Sequence, residues 1–216
     1  MTNGTTNQYP EKLAVVQTKS KKYGQCAFDI QYAVNIDKVK LSLVNKLSTD
    51  KGTLTEHYLN VDDFLVLAND ILTAQFKNYS ILYKDGNVEK TKIGYVEYKG
   101  STKQKDGQSV TEARILEIDF LSTQKVPYLI KISTGKGHVI GHGAISMVGR
   151  PEKQNGIFLT EFQMKKMFKM AQVGIEAQWQ LKSVLSHLNT NQYLSQLVER
   201  HEVTGEIDMD DLLGEP

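Results

Sequence analysis

Between Leu13 and Leu47 hydrophobic and polar positions alternate along the chain. Phe28, Ile30, Tyr32, Val34 and Ile36 interleave with Asp29, Gln31, Ala33 and Asn35, the period-two mark of a half-buried strand. Val39, Leu41 and Leu43 interleave with Lys38, Lys40 and Ser42, which predicts a second strand with a basic outer face. After Asn60 the period changes. Phe64, Leu67, Ala68, Ile71 and Leu72 recur at three and four, predicting an amphipathic helix with Asn60 as its cap.

A second run repeats the order. Strands are predicted at Tyr79–Lys84, Lys92–Lys99, Glu112–Leu121, Tyr128–Ser133 and Val139–Val148. Turn signals separate them at Asp85-Gly86-Asn87, Gly100-Ser101, Asp106-Gly107 and Gly135-Lys136-Gly137. Thr160 then opens a long helix, with Gln163 placed to complete a capping box. Met164, Met167, Phe168, Ala171, Ile175, Trp179 and Leu185 form its apolar stripe, and Gly174 weakens it by about 1 kcal/mol against alanine.

The two helix entries match. Tyr58-Leu59-Asn60 leads into the first and Phe158-Leu159-Thr160 into the second, and Phe64, Leu67, Ala68 and Ile71 fall in phase with Met164, Met167, Phe168 and Ala171. This points to an internal duplication. The expected fold is α+β, a duplicated antiparallel strands-then-helix unit with two sheets packed with two helices. Its expected parts are a disordered lead-in (1–10), one domain of two repeats (11–200, repeats about 11–77 and 78–188) and a tail (201–216).

Composition narrows the classes. The chain has 216 residues, 40% of them apolar, and its 18 aromatics include 10 tyrosines, enough for a real core. Apolar runs fall far short of the roughly 20 residues a membrane helix needs, and the start resembles no secretory signal. The single Cys26 forms no internal disulfide, and the expected place is the cytoplasm of a bacterial host. The formal charge of +1 is an average of two unequal parts. Six of the 25 acidic residues and none of the 26 basic ones fall in residues 201–216, so the body carries +7 and the tail −6. That asymmetry suits a polyanion-binding body.

Enzymatic signals are poor. Ser133-Thr134-Gly135-Lys136-Gly137 lacks both the leading glycine and the following hydroxyl of a phosphate loop and reads as a hairpin turn. His138 and His142 lie on an extended stretch, where residues four apart are about 13 Å from each other, too far to share a metal. Glu117 and Asp119 share a strand face, where one of them can sit beside a lysine of a neighbouring strand, but they read first as charges on a solvated face. Cys26 reads as a buried thiol. No catalytic residue, cofactor or metal is expected.

Nucleic-acid signals are better. Lys38 and Lys40 line one strand; Tyr83 and Lys84 share a second; Lys92, Tyr95, Tyr98 and Lys99 lie on a third, and Lys103 and Lys105 at the tip of its hairpin. Lys19, Lys21, Lys22 and Tyr23 make a basic turn. Cations that track phosphates and rings that stack on bases are the means by which single strands are held. Lysine outnumbers arginine 23 to 3, which favours phosphate contact over base-edge readout. In the tail, Ile207, Asp208, Met209, Asp210, Asp211, Leu212 and Leu213 mix acids with apolar residues, as a peptide that docks on a partner does.

The stretch PEKQNGIFLTEFQMKKMFKMAQVGIEAQW resembles the last strand and helix of Whirly proteins, and KVKLSLV is similar to their lysine-rich early strand. Over residues 13–185 the architecture resembles the Whirly/PC4-like single-stranded-DNA-binding fold. The acidic end is similar to the protein-docking tip of bacterial single-strand-binding proteins, but ends Gly214-Glu215-Pro216 in place of Pro-Phe. The resemblance implies a homo-oligomer packed through helices. The expected function is sequence-independent binding of single-stranded DNA in replication or recombination of a bacterial, phage or plasmid genome. Replication or recombination proteins are the expected partners of the tail, and no membrane is expected. A structural or assembly protein without nucleic-acid binding, and a nucleic-acid-processing enzyme with an unrecognised acidic site, stay open as alternatives.

Overall fold

In the computed structural model, residues 11–46, 52–85, 88–105, 108–141 and 144–204 are described. The chain is α+β and divides into two compact units, residues 1–174 and 175–216. Strands β1 (Glu11–Ser20), β2 (Gly24–Ala33), β3 (Lys38–Lys46) and β4 (Thr53–Asn60) form an antiparallel sheet in that order. Helix α1 (Val61–Leu72) follows. The second sheet, also antiparallel, contains β5 (Ser80–Asp85), β6 (Val88–Lys105), β7 (Gln108–Phe120), β8 (Tyr128–Val139) and β10 (Lys153–Leu159), in the order β10-β8-β7-β6-β5. A short strand β9 (Ile145–Met147) pairs with the end of β8. Helix α2 (Glu161–Thr204) closes the order, and its course from residue 175 on makes up the described part of the second unit.

Alternation decides which face of each sheet is buried. Register puts Cys26, Phe28, Ile30 and Tyr32 beside Leu43, Leu41 and Val39, and these beside Thr55, His57 and Leu59, all buried. In the second sheet Leu116, Ile118, Tyr128, Ile130, Ile132, Ile157 and Leu159 fill one face. The matched helix stripes are buried in full, and Phe64 stacks on Phe168 with centroids 5.4 Å apart.

β10 is an edge strand of the second sheet, yet it touches all four strands of the first. It must therefore run across them, as in orthogonal sheet packing. Two contacts fix this crossing. The Asn155 side chain donates to the carbonyls of Leu43 (3.0 Å) and Thr53 (2.7 Å), and the Tyr23 ring lies flush on Gly156, where a Cβ would come within 2.6 Å of it. Asn155 and Gly156, on opposite faces of β10, are thus both buried for a reason that hydrophobic pattern does not show.

Several expectations change. Val34 and Ile36 leave the strand for a short 3-10 turn and are exposed, because Tyr32 donates to Asp37 and the chain turns at Asp37 with φ 49°. The stretch Gly135-Lys136-Gly137 is no turn. Both glycines continue β8, and Ile145 of β9 folds over Gly137 and over Gly100 of β6, which is likewise no turn. Asn60 precedes α1 but caps no backbone amide; its side chain donates to Asp63 and accepts from Lys38. Thr160 and Gln163 do form the capping box, at 3.0 and 3.2 Å. Gly174, an apparent weak point, lies against Leu13, whose Cδ2 would be 2.6 Å from a Cβ there. No helix among the described residues is long and apolar enough to cross a membrane.

Candidate nucleic-acid interface

The ten expected contact residues do not form one surface. Lys38 and Lys40 lie on the outer face of the first sheet, both half-buried, Lys38 donating to Asn60 and Lys40 paired with Glu56 at 3.2 Å. Tyr83, Lys92 and Tyr98 share one face of the second sheet, while Tyr95, Lys99 and Lys103 point to the other. Lys84 and Lys105 lie on β5 and β6 with side chains outside the described residues, and residues 207–213 lie outside them altogether. Lys103 sits on a paired strand, since β6 and β7 stay in register to Lys105 and Gln108, so the tip is shorter than expected.

Ion pairs reduce the available charge. Lys92 lies 2.6 Å from Asp119 and 3.3 Å from Glu117, and Lys131 reaches the same two carboxylates at 3.4 and 2.9 Å. Burial pulls the Lys92 ammonium down, but Asp119 and Glu117 outweigh it and hold the pKa above the ordinary lysine value. The ammonium also stands 5.9 Å from the Tyr83 ring centroid. Glu117 and Asp119 therefore belong to a neutralised cluster in which Asp119 is buried, rather than standing as the solvated charges expected. On the opposite face Lys99 pairs with Glu97 at 2.8 Å. Glu97 also meets buried His57 at 3.3 Å and accepts from the Tyr95 hydroxyl at 3.2 Å. Burial raises Glu97, but His57 and Lys99 more than reverse this and keep it below the usual carboxylate range. Burial, then Glu97, pushes the Tyr95 phenol up. Tyr95 is thus a network residue rather than a free stacking ring.

Register reveals a group that the sequence alone conceals. Lys99 of β6, Arg114 of β7, Thr134 of β8 and Lys153 of β10 are successive cross-strand partners and form one row across four strands. Lys136 stands in the neighbouring row. Arg114, Thr134 and Lys153 of this row line a groove of about 480 Å³ whose far wall is Gly52 and the start of β4, Thr53, Leu54, Thr55 and Glu56. Arg114 spans it: its guanidinium lies 5.7 Å from the Tyr58 ring of β4, and its Nε donates to Glu112 at 2.8 Å.

The chain matches no family model, no curated protein and no solved structure. The site therefore rests on its own geometry. Cys26 is fully buried and burial pushes its thiol up to about 11, so it is a packed side chain. Among the described residues no three His, Cys, Asp or Glu side chains come together as a metal site. Arg114, Thr134, Lys136 and Lys153 were missed because they lie far apart in sequence, and only the pairing of four strands aligns them.

Proposed function

We propose that this protein binds single-stranded DNA without sequence preference, by contact and not catalysis, in the replication or recombination of a bacterial, phage or plasmid genome. The observation that carries this reading is the Lys99–Arg114 pair. The two cations stand directly opposite each other on adjacent strands, each held by a carboxylate two residues away on its own strand (Glu97 for Lys99, Glu112 for Arg114), and Arg114 lines an open groove together with Lys153. A row of cations along a groove is the arrangement that tracks the phosphates of an extended strand. Tyr98, 62% exposed on the other face, supplies a ring for stacking.

The order of strands and then a helix, twice over, supports a duplicated Whirly/PC4-like unit within a single DNA-binding domain. The second unit carries exposed Trp179, Leu181 and Val184, which supports a homo-oligomer formed through α2 in the cytoplasm. The acidic tail is assigned to partner proteins of replication or recombination.

Titration with poly-dT across salt concentrations tests the reading. A handful of phosphate contacts at about −0.7 each gives a log–log slope between roughly −2 and −5. Arg114→Ala with Lys153→Ala should weaken binding and flatten that slope. A structural or assembly protein would ignore poly-dT, and salt-insensitive binding or a preference for duplex would defeat the groove.

A further inference from the structure

A second cleft, of about 380 Å³, opens where the β1–β2 turn meets the β7–β8 loop. Lys19 stands on one part of its lining and Lys125 on another, with Val126 of the loop, Phe158 of β10 and Thr160 between them. Both lysines are exposed, and neither forms an ion pair with any described residue. Among the described residues no carboxylate lines the cleft. Glu161, next in the chain to Thr160, is engaged by Lys77 at 3.2 Å and Lys165 at 3.0 Å. The hydroxyl of Thr160 and the amide of Gln163 are occupied with each other. The cleft thus combines two uncompensated cations with an apolar floor on which Phe158 is half-buried. Lys21 and Lys22 in the adjoining turn add to the positive charge.

The groove under β4 differs in this respect, because Glu56 and Glu112 share it with the cations. A ligand suited to the second cleft carries a full negative charge and a flat apolar part, in a volume fit for one small group. A nucleotide unit has both. β10, the edge strand of its sheet, joins the two places, with Lys153 at one end and Phe158 five residues on, about 17 Å along the strand and on its opposite face.

Resting on the single-strand reading above, we propose that this cleft takes one nucleotide of the bound strand, its phosphate between Lys19 and Lys125 and its base against Phe158. The test uses the full chain and a thirty-residue oligo-dT, with 5-iodouracil replacing thymine for photocrosslinking. Wild type should crosslink at Phe158. The K19A/K125A double variant should lose that crosslink, bind about tenfold more weakly at 0.1 M salt, and show a slope shallower by about 1.4, two contacts at about 0.7 each. Unchanged affinity and slope in K19A/K125A, with wild type binding normally, would overturn the cleft and leave the groove standing. No binding by wild type at low salt would overturn the single-strand reading itself. A synthetic peptide of residues 202–216 that binds wild type and not K19A/K125A, while oligo-dT binds both equally, would make the cleft a peptide site and also overturn the proposal.

Discussion

Tyr95 and Tyr98, three residues apart on β6, point to opposite faces of the second sheet. Tyr95 is half-buried and donates to Glu97; Tyr98 stands in solvent and, with Tyr83 and Lys92, shares the other face. Strand alternation requires this division, and it gives the two rings different work. Tyr98→Ala should weaken poly-dT binding by about 1–3 kcal/mol, the worth of one stacked base, and leave the urea midpoint nearly unchanged. Tyr95→Phe should do the reverse, lowering stability by about 1 kcal/mol through the lost hydrogen bond. If both variants bind and unfold as wild type does, β6 is no stacking platform.

The Glu97 network predicts a pH effect of definite sign. Although burial pushes the Glu97 carboxyl up, His57 and Lys99 together hold it below its ordinary value, so the folded state favours the ionised form. Its contribution to stability is complete above the unfolded glutamate pKa of about 4.3 and is lost as pH falls from there through the lower folded value. Urea midpoints measured from about pH 6 to pH 3 should therefore fall more steeply for wild type than for Glu97→Gln. Parallel curves would show that the carboxylate adds nothing.

At Gly156 a methyl group has nowhere to go. A Cβ there would lie 2.6 to 2.9 Å from three carbons of the Tyr23 ring. Gly156→Ala should cost about 1–3 kcal/mol, the usual range for overpacking. In a double-mutant cycle with Tyr23→Ala the alanine at 156 should cost far less, because the ring it strikes is gone. Additive losses would mean that the clash is relieved elsewhere.

Charge separation along the chain gives a prediction for the tail. Residues 202–216 hold six acids and no lysine or arginine, against a body of +7. Deleting them should tighten binding to poly-dT at low salt, with the gain shrinking as ionic strength passes about 0.15 M. Thermal stability should barely change. Equal affinity of the two proteins at every salt concentration would show that the tail does not compete, and a large drop in melting temperature would show that it packs on the body.

Hydrophobic alternation made much of the fold legible: the inward sets Phe28-Ile30-Tyr32 and Val39-Leu41-Leu43 are buried as predicted, as are Phe64, Leu67, Ala68 and Ile71 of α1 and Met164, Met167, Phe168, Ala171 and Ile175 of α2, whereas Trp179 of the predicted stripe is exposed. It failed where an inward position is polar or small. β4 was hidden because Thr55 and His57 face the core, and β10 escaped the periodicity because Asn155 faces the core and Gly156, on the opposite face, lies under Tyr23, so that only the resemblance placed a strand there. Glycines at 100, 135 and 137 signalled turns, but they sit within strands, two of them flat beneath Ile145. For the site, lysines were visible as residues and their partners were not. Ion pairing of Lys40, Lys92 and Lys99 depends on register, which one sequence does not specify.

The two hydrogen bonds from Asn155 also have a consequence in time. They hold the carbonyls of Leu43 and Thr53, residues 112 and 102 positions earlier in the chain. At a synthesis rate of about 5–20 residues per second, the first sheet leaves the ribosome roughly 5–20 s before its latch exists. For that interval Phe28, Leu41 and Leu43 await the strand that crosses their sheet. The nascent first half thus keeps this apolar face open until β10 arrives, and the two sheets are joined last.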